Sequence, residues 1–190
     1  GDEDEWYPKL EASWGMAFDN FNFTLQGGYQ TYTIEDVTSP VDGSTNDVDI
    51  DSYMLGAMGG FNFGPAFVKA AAYMAQNGGN AGWGFSTSSG SFDGDDDVDE
   101  MDSYGGAIVA GFRMSDMVVF EGGAGYRNDE LDVSGAKESE RMQLYLQALV
   151  TMAPGVHIMP EIGFVDYFDD GNGDDAGDAV YLGAKWQIDF

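Results

Sequence analysis

The side chains of this chain that could do chemistry are mostly carboxylates. The chain has 34 acidic residues, 7 basic residues, 1 histidine and no cysteine, with a formal net charge of -27. Without cysteine it forms neither disulfides nor thiolate metal sites. The acidity also disfavours nucleic acid as a partner, because phosphate binding requires a basic surface.

Two acidic runs offer dense oxygen ligands of the kind that calcium prefers, which takes about six to eight oxygens from flexible loops. Neither run has the glycine and the distal glutamate of an EF-hand in register. We therefore expect no cofactor other than calcium. The alternative is a solvated acidic surface that repels anions. The candidate metal ligands are Asp93, Asp95, Asp97, Asp170, Asn172 and Asp174.

The single histidine, His157, gives little support for an enzyme. A nucleophilic site needs a nucleophile beside a base that a third group orients. The sequence has no cysteine and no second histidine, and it shows no serine paired with His157. We interpret His157 as structural and expect no enzymatic activity.

The positions of the charged residues depend on strands, which the hydrophobic pattern predicts. In the last segment, DAVYLGAKWQIDF, apolar residues occupy alternate positions. Side chains of an extended strand point alternately to opposite faces, so this segment has one apolar and one mostly polar wall. The same pattern recurs, and it predicts an all-β chain of about nine antiparallel transmembrane strands without a helix. The predicted strands are 5–18, 21–35, 50–63, 66–77, 103–114, 117–127, 139–152, 155–167 and 178–190.

The connections between these strands alternate in length. Outer-membrane β-barrels have short periplasmic turns and long outer loops, and a soluble β-sandwich, the alternative fold, is not expected to keep that rhythm. Apolar-wall aromatics divide in the same way, Phe near the short turns and Tyr near the long loops, as in interfacial girdles. The short turns lie at 19–20, 64–65, 115–116 and 153–155, and the long acidic connections at 36–49, 78–102, 128–138 and 168–177.

Six of the seven basic residues have the parity of the polar wall, and the seventh, Lys137, is in a loop. Charge on a lipid-facing wall is costly, so this parity supports a barrel. In one interpretation the cations form a strip along a pore that filters solutes by charge; in the other they form structural ion pairs with the glutamates. We expect Arg127 and Arg141 near each other at the outer end, and both Lys69 and Arg113 near the periplasmic end. The candidate pore-lining residues are Lys9, Lys69, Arg113, Arg127, Arg141, Lys185, Glu11, Glu121 and Glu161.

Three segments carry a resemblance to known membrane proteins. The closing strand, with Trp186 and Phe190, resembles the last strand of bacterial outer-membrane β-barrels. WYPKLEASWGMAFDNFNFTLQGGYQTYTIED and AAYMAQNGGNAGWG resemble trimeric porins of sulfate-reducing (deltaproteobacterial) bacteria. This resemblance implies an integral outer-membrane barrel of about sixteen strands around an aqueous pore. Its implied partners are outer-membrane lipid, lipopolysaccharide and further copies in a homotrimer.

The strand number bears on how much of a barrel is present. Single-chain bacterial barrels have even numbers of strands, with both termini in the periplasm. We therefore expect residues 1–190 to be a single β-barrel segment without a separate soluble domain, the C-terminal part of a larger barrel whose remaining N-terminal part is a further partner. The alternative is a complete small barrel of about eight to ten strands.

These observations together predict an outer-membrane porin, a water-filled channel for passive diffusion of ions and small hydrophilic solutes. The alternative is a non-conducting barrel that serves as a surface anchor or adhesin with calcium-binding acidic loops. The longest connection, 78–102, either folds inward as a constriction or shields the outer rim. Pro160 lies in the middle of a predicted strand and has no backbone N–H to donate to a neighbouring strand, so we expect a β-bulge there.

Overall fold

The computed structural model describes residues 3–4, 8–38, 43–83, 89–92, 98–169 and 174–189. In these ranges no helix is long and apolar enough to cross a membrane. The strands are β1 (Glu3–Asp4), β2 (Leu10–Ala17), β3 (Phe21–Thr38), β4 (Thr45–Phe63), β5 (Ala66–Gln76), β6 (Ser91–Phe92), β7 (Val98–Asp99), β8 (Met101–Arg113), β9 (Val118–Leu131), β10 (Ser139–Ala153), β11 (Val156–Asp166) and β12 (Asp178–Ile188).

One antiparallel sheet contains all of these strands except β6 and β7, which pair with each other. Each long strand pairs with its neighbours in the chain, in the order β2, β3, β4, β5, β8, β9, β10, β11, β12. The short β1 also pairs with β3, further along the same edge. The predicted all-β fold with nine antiparallel strands is confirmed. Among the described residues no ladder joins β2 to β12, so the sheet is open.

The strand ends agree with the hydrophobic pattern to within a few residues. β3 and β4 are longer than predicted, because pairing continues to Thr38 and Thr45 through polar residues that carry no alternation. A register shift between Ile34 and Val37 accompanies the positive φ of 55° at Asp36. The first predicted strand is shorter: β2 begins at Leu10, and residues 5–7 lie outside the described ranges.

The apolar wall is the exposed face of the sheet. Leu182 and Leu146 are 82% and 66% exposed, and Trp186 is 65% exposed. Burying side chains of this size is worth about 1.5–3 kcal/mol each, and water-exposed apolar patches of this extent are rare in soluble monomers. The face therefore requires an apolar environment, which for a sheet of this kind is lipid. We call it the apolar face and the opposite one the polar face.

Aromatic pairs at the two ends of the apolar face match the predicted girdles. At the ends with short turns, Phe61 and Phe63 lie with ring centroids 5.0 Å apart. At the end with long connections, the rings of Tyr104 and Tyr126 lie 6.3 Å apart. Both kinds of ring are exposed, as aromatic side chains are at membrane interfaces.

On the polar face, several aromatic rings lie against glycines of the neighbouring strand. Tyr181 is directly opposite Gly163, and a Cβ on this glycine would lie 2.2 Å from the ring. Tyr145 lies in the same way on Gly123, at 2.3 Å. Only glycine allows a ring to approach the backbone this closely. The rings therefore line the wall instead of projecting from it.

The expected bulge is not at Pro160. Gln147 opposite Glu161 and Val150 opposite Ile158 keep one register on both sides of the proline. The missing N–H of Pro160 therefore removes ladder bonds without shifting the register. The irregularity lies instead between Thr151 and Ala153, next to the short turn.

Candidate functional site

The start of the longest connection folds onto the polar face. The Trp83 ring covers Gly28, whose Cβ would lie 2.5 Å from it on the polar side of β3. Trp83 Nε1 donates to Glu11 Oε1 at 2.7 Å. Lys9 Nζ donates to the Ala81 carbonyl at 2.9 Å, lies 5.2 Å from the Trp83 ring centroid and pairs with Glu11 at 3.1 Å. Segment 77–83 therefore lies against the wall of β2 and β3, on the side where a lumen is expected.

Asn77 fixes the point where this segment leaves β5. It is 2% exposed and has a φ of 50°, which Asn tolerates better than most residues. Its Nδ2 donates to the Asp51 carbonyl at 2.9 Å, and its Oδ1 accepts from the Met101 N–H at 2.9 Å. It thus joins β4 to the first residue of β8. Sequence reasoning missed both Asn77 and Trp83, and an Asn-Gly dipeptide (Asn77–Gly78) directly after a strand was the available signal.

Arg127 and Arg141 are directly opposite each other on β9 and β10, as predicted. Arg127 Nε lies 2.6 Å from Asp129 Oδ2, and Ser103 Oγ donates to the other oxygen of Asp129. The Arg141 guanidinium lies 5.0 Å from the Tyr167 ring centroid. Two like charges face each other here, and Asp129 balances the charge of Arg127.

Lys69 and Arg113 lie at the short-turn end, as predicted, and the structure also brings them near each other. Both contact the buried ring of Phe67, at 5.2 Å for Lys69 Nζ and 4.7 Å for Arg113 Cζ. Arg113 Nη2 donates to Asn62 Oδ1 at 3.1 Å. The ring itself lies on Gly111, the residue directly opposite. A cation over an aromatic face is stabilised by about 0.5–2 kcal/mol without losing its charge.

Glu121 and Glu161 accept hydrogen bonds from neutral donors. They lie in one row across β9, β10 and β11, with Gln147 between them. Tyr145 Oη and Gln147 Nε2 each donate to Glu121 at 2.8 Å, and Tyr181 Oη donates to Glu161 at 2.8 Å. The interpretation that these two glutamates pair with the basic residues is therefore wrong, and it holds only for Glu11.

The basic residues divide into two groups. Lys9 and Arg127 have a carboxylate partner. Within the described part of the chain, Lys69, Arg113, Arg141 and Lys185 have no carboxylate at ion-pair distance. The sequence offered two interpretations, a cationic strip along a pore and structural ion pairs, and neither describes all six basic residues. Two of them form ion pairs, and the other four leave positive charge on the polar face.

His157 contacts two side chains near the short-turn end. Its Nδ1 lies 3.1 Å from Thr151 Oγ1, and its Nε2 lies 3.5 Å from Asp189 Oδ2. The backbone N–H of Thr151 donates to the Met117 carbonyl at 2.8 Å. These contacts join β10, β11 and the residue after β12. The arrangement fits the structural role expected for His157.

The predicted calcium ligands are mostly beyond the described ranges. Asp93, Asp95, Asp97, Asp170 and Asn172 lie outside them, and only Asp174 lies within. Of the residues that the structure describes, no three His, Asp or Glu side chains are grouped to hold a metal. Calcium binding by these runs stays a prediction.

Solved structures of outer-membrane proteins share this fold. The outer-membrane expressed OmpT of Vibrio cholerae is 16% identical, with a TM-score of 0.57 over 95% of this chain and 54% of that one. The trimer form of OmpT folded in vitro is also 16% identical, with a TM-score of 0.60 over 94% and 54%. No protein-family model and no curated protein matches the sequence. The chain spans about half the length of these structures.

The structural likeness establishes the fold as the wall of an outer-membrane β-barrel. With the exposed apolar face, it supports the predicted integral location in the outer membrane. The resemblance to porins of sulfate-reducing bacteria is a finer statement, and it stays a prediction.

Proposed function

We propose that this chain forms part of the wall of an outer-membrane porin, a water-filled channel for passive diffusion of ions and small hydrophilic solutes. The polar face is then the lumen wall. The channel works by size exclusion and by an electrostatic filter, without cofactor or chemistry.

The observation that carries this proposal is the uncompensated charge on the polar face. Lys69, Arg113 and Arg141 contact aromatic rings. Ion-pair partners for these three and for Lys185 do not occur among the described residues. A barrel filled by its own side chains would pair such charges, because an unpaired buried charge costs several kcal/mol. Charges that remain hydrated require water on this face, and a row of them acts as a filter for ions.

Segment 77–83 supports the same proposal. Trp83 is 5% exposed and rests on the polar wall, with Lys9 and Glu11 beside it. A loop held inside the barrel narrows the lumen at this level without closing it. In the proposed channel this segment forms one side of the constriction.

Assembly belongs to the proposal as well. We propose that the remaining wall comes from an N-terminal part of the same protein and that three copies assemble in outer-membrane lipid with lipopolysaccharide. The resemblance to trimeric porins supports this, and one structural neighbour was solved as a trimer form.

Single-channel recording of the full-length protein in a planar bilayer tests the proposal. We expect discrete conductance steps, grouped in threes for a trimer, and a reversal potential in a salt gradient that changes when polar-face cations are removed. A correctly folded, heat-modifiable barrel that never conducts would exclude the porin. That result would favour the surface anchor with calcium-binding loops, which calcium titration of the same sample then tests.

A further inference from the structure

The glycines on the polar face of β8 to β11 are Gly105, Gly111, Gly123, Gly125 and Gly163. Four of them are covered by an aromatic ring from the residue directly opposite: Tyr73 on Gly105, Phe67 on Gly111, Tyr145 on Gly123 and Tyr181 on Gly163. No described residue covers the remaining one, Gly125. Among the described residues, a Cβ there would meet only the Gly106 carbonyl at 3.7 Å and the Ala107 Cβ at 3.8 Å.

Gly125 lies at one end of a smooth apolar strip. Met58, Ala71, Ala107 and Gly125 are directly opposite one another across β4, β5, β8 and β9. Adjacent strands lie about 4.8 Å apart, so this row is about 14 Å long. A depression of about 460 Å³ lies over it, lined also by Gln143 and Arg141. Small-molecule sites commonly have this size and composition, mostly apolar with a few polar groups at defined positions.

The charge at one end of the depression defines the ligand further. Arg127 and Arg141 are opposite each other, Asp129 balances Arg127, and no carboxylate of the described residues lies at ion-pair distance from Arg141. Arg141 lies against the Tyr167 ring, and the residue as a whole is exposed. A guanidinium donates two parallel hydrogen bonds to a carboxylate, a geometry that lysine does not offer.

We propose that this depression is a binding site for an aromatic monocarboxylate in transit. Its ring lies on Gly125, as the protein's own rings lie on the other four glycines, and its carboxylate binds Arg141. Met58 lies at the far end of the row, where its thioether contacts the ring edge of a longer ligand. The inference rests on the proposed function in one respect: solute passing along the polar face is what brings the ligand to the site.

Equilibrium dialysis of benzoate against the full-length protein in detergent tests the site without requiring conduction. We expect saturable binding of one benzoate per chain, at least tenfold weaker binding of acetate, which has no ring, and at least tenfold weaker binding of benzamide, which has no charge. Arg141→Gln should weaken benzoate binding tenfold or more by removing the carboxylate partner. Gly125→Val should do the same by filling the position of the ring, and its Cβ meets only ordinary contacts, so the variant should fold.

Matched controls are available on the same face. Arg113→Gln removes an equal charge at the short-turn end of the polar face. Gly183→Val adds a side chain at a glycine that has open space around it among the described residues. Both variants should bind benzoate as tightly as the parent protein does. Benzoate binding that does not saturate would overturn the proposed site. The site would also be overturned if Arg141→Gln and Gly125→Val bound benzoate as tightly as the parent protein does. Saturable binding in a barrel that does not conduct would support the site while excluding the porin, so the two failures are distinguishable.

Discussion

The ring of Tyr181 on β12 lies on the backbone of Gly163, the residue directly opposite it on β11. From this position Tyr181 Oη donates to Glu161 and accepts from Gln143 Nε2 at 2.9 Å. One aromatic side chain thus ties together three neighbouring strands. The missing Cβ of Gly163 makes the arrangement possible.

Gly163→Ala should therefore destabilise the barrel. The added Cβ would lie 2.2 Å from the Tyr181 ring, so the ring must leave the wall and release its hydrogen bonds. We expect a loss of about 1–3 kcal/mol in the free energy of unfolding, the usual cost of overpacking. Urea unfolding in detergent, followed by tryptophan fluorescence, measures it. Gly183→Ala on β12 is the control, since nothing lies within 4 Å of its Cβ; equal losses in both variants would contradict the explanation.

Leu182→Arg should be far more costly than a charge on the other face. Leu182 is 82% exposed on the apolar face near the middle of β12. An arginine facing lipid near the bilayer midplane costs about 2–4 kcal/mol. Gly183→Arg introduces the same side chain one residue later on the polar face and should fold normally. Refolding yield and unfolding free energy in lipid vesicles distinguish the two variants. Equal tolerance would mean that the apolar face does not contact lipid.

Trp83→Ala should enlarge the proposed channel. Removing the indole deletes the contact with Gly28 and the hydrogen bond to Glu11, and it leaves Lys9 without its ring. Segment 77–83 then loses most of its contact with β2 and β3, and single-channel conductance should rise by roughly a third or more, as expected when a constriction widens. Trp14→Ala on the apolar face should leave conductance unchanged. A conductance that is the same in both variants would show that segment 77–83 is not part of the constriction.

Lys69→Gln and Arg113→Gln should each shift the reversal potential toward cation selectivity, because neither cation is balanced by a carboxylate in the described structure. Glu121→Gln and Glu161→Gln should shift it in the opposite direction, because their partners are neutral Tyr and Gln side chains. These shifts should shrink at high salt, since exposed charges are screened beyond about 10 Å at 0.1 M. Lys137→Gln, in the connection between β9 and β10, is the control for a charge change away from the polar face.

The strands and their faces could be predicted because lipid on one side and water on the other impose a period of two on the sequence. Once the short turns were located, pairing between neighbouring strands followed. The positions of Arg127 opposite Arg141, and of Lys69 near Arg113, are consequences of that register.

The partners of individual side chains could not be predicted in the same way. Alternation assigns a face, but it does not say that Asp129 binds Arg127 or that Glu121 accepts from Tyr145. Trp83 lies in a connection that has no alternating pattern, so the pattern does not predict its position. That position depends on Asn77 and on Gly28, which has no side chain in the place of the Trp83 ring. The place of the bulge likewise depends on the local geometry of the turn after Ala153, which the pattern does not report.

The rings that lie on glycine also decide between strand registers. A slip of one residue would turn the apolar face toward water, and the alternating pattern already forbids it. A slip of two residues keeps every side chain on its correct face, so the pattern alone permits it. Such a slip would place Tyr181 opposite Glu161 or Val165, and Phe67 opposite Val109 or Arg113, all of which have a Cβ where the ring must lie. The Tyr181–Gly163 and Phe67–Gly111 pairs therefore fit only the observed register, and they make it distinguishable during assembly from a register shifted by two residues.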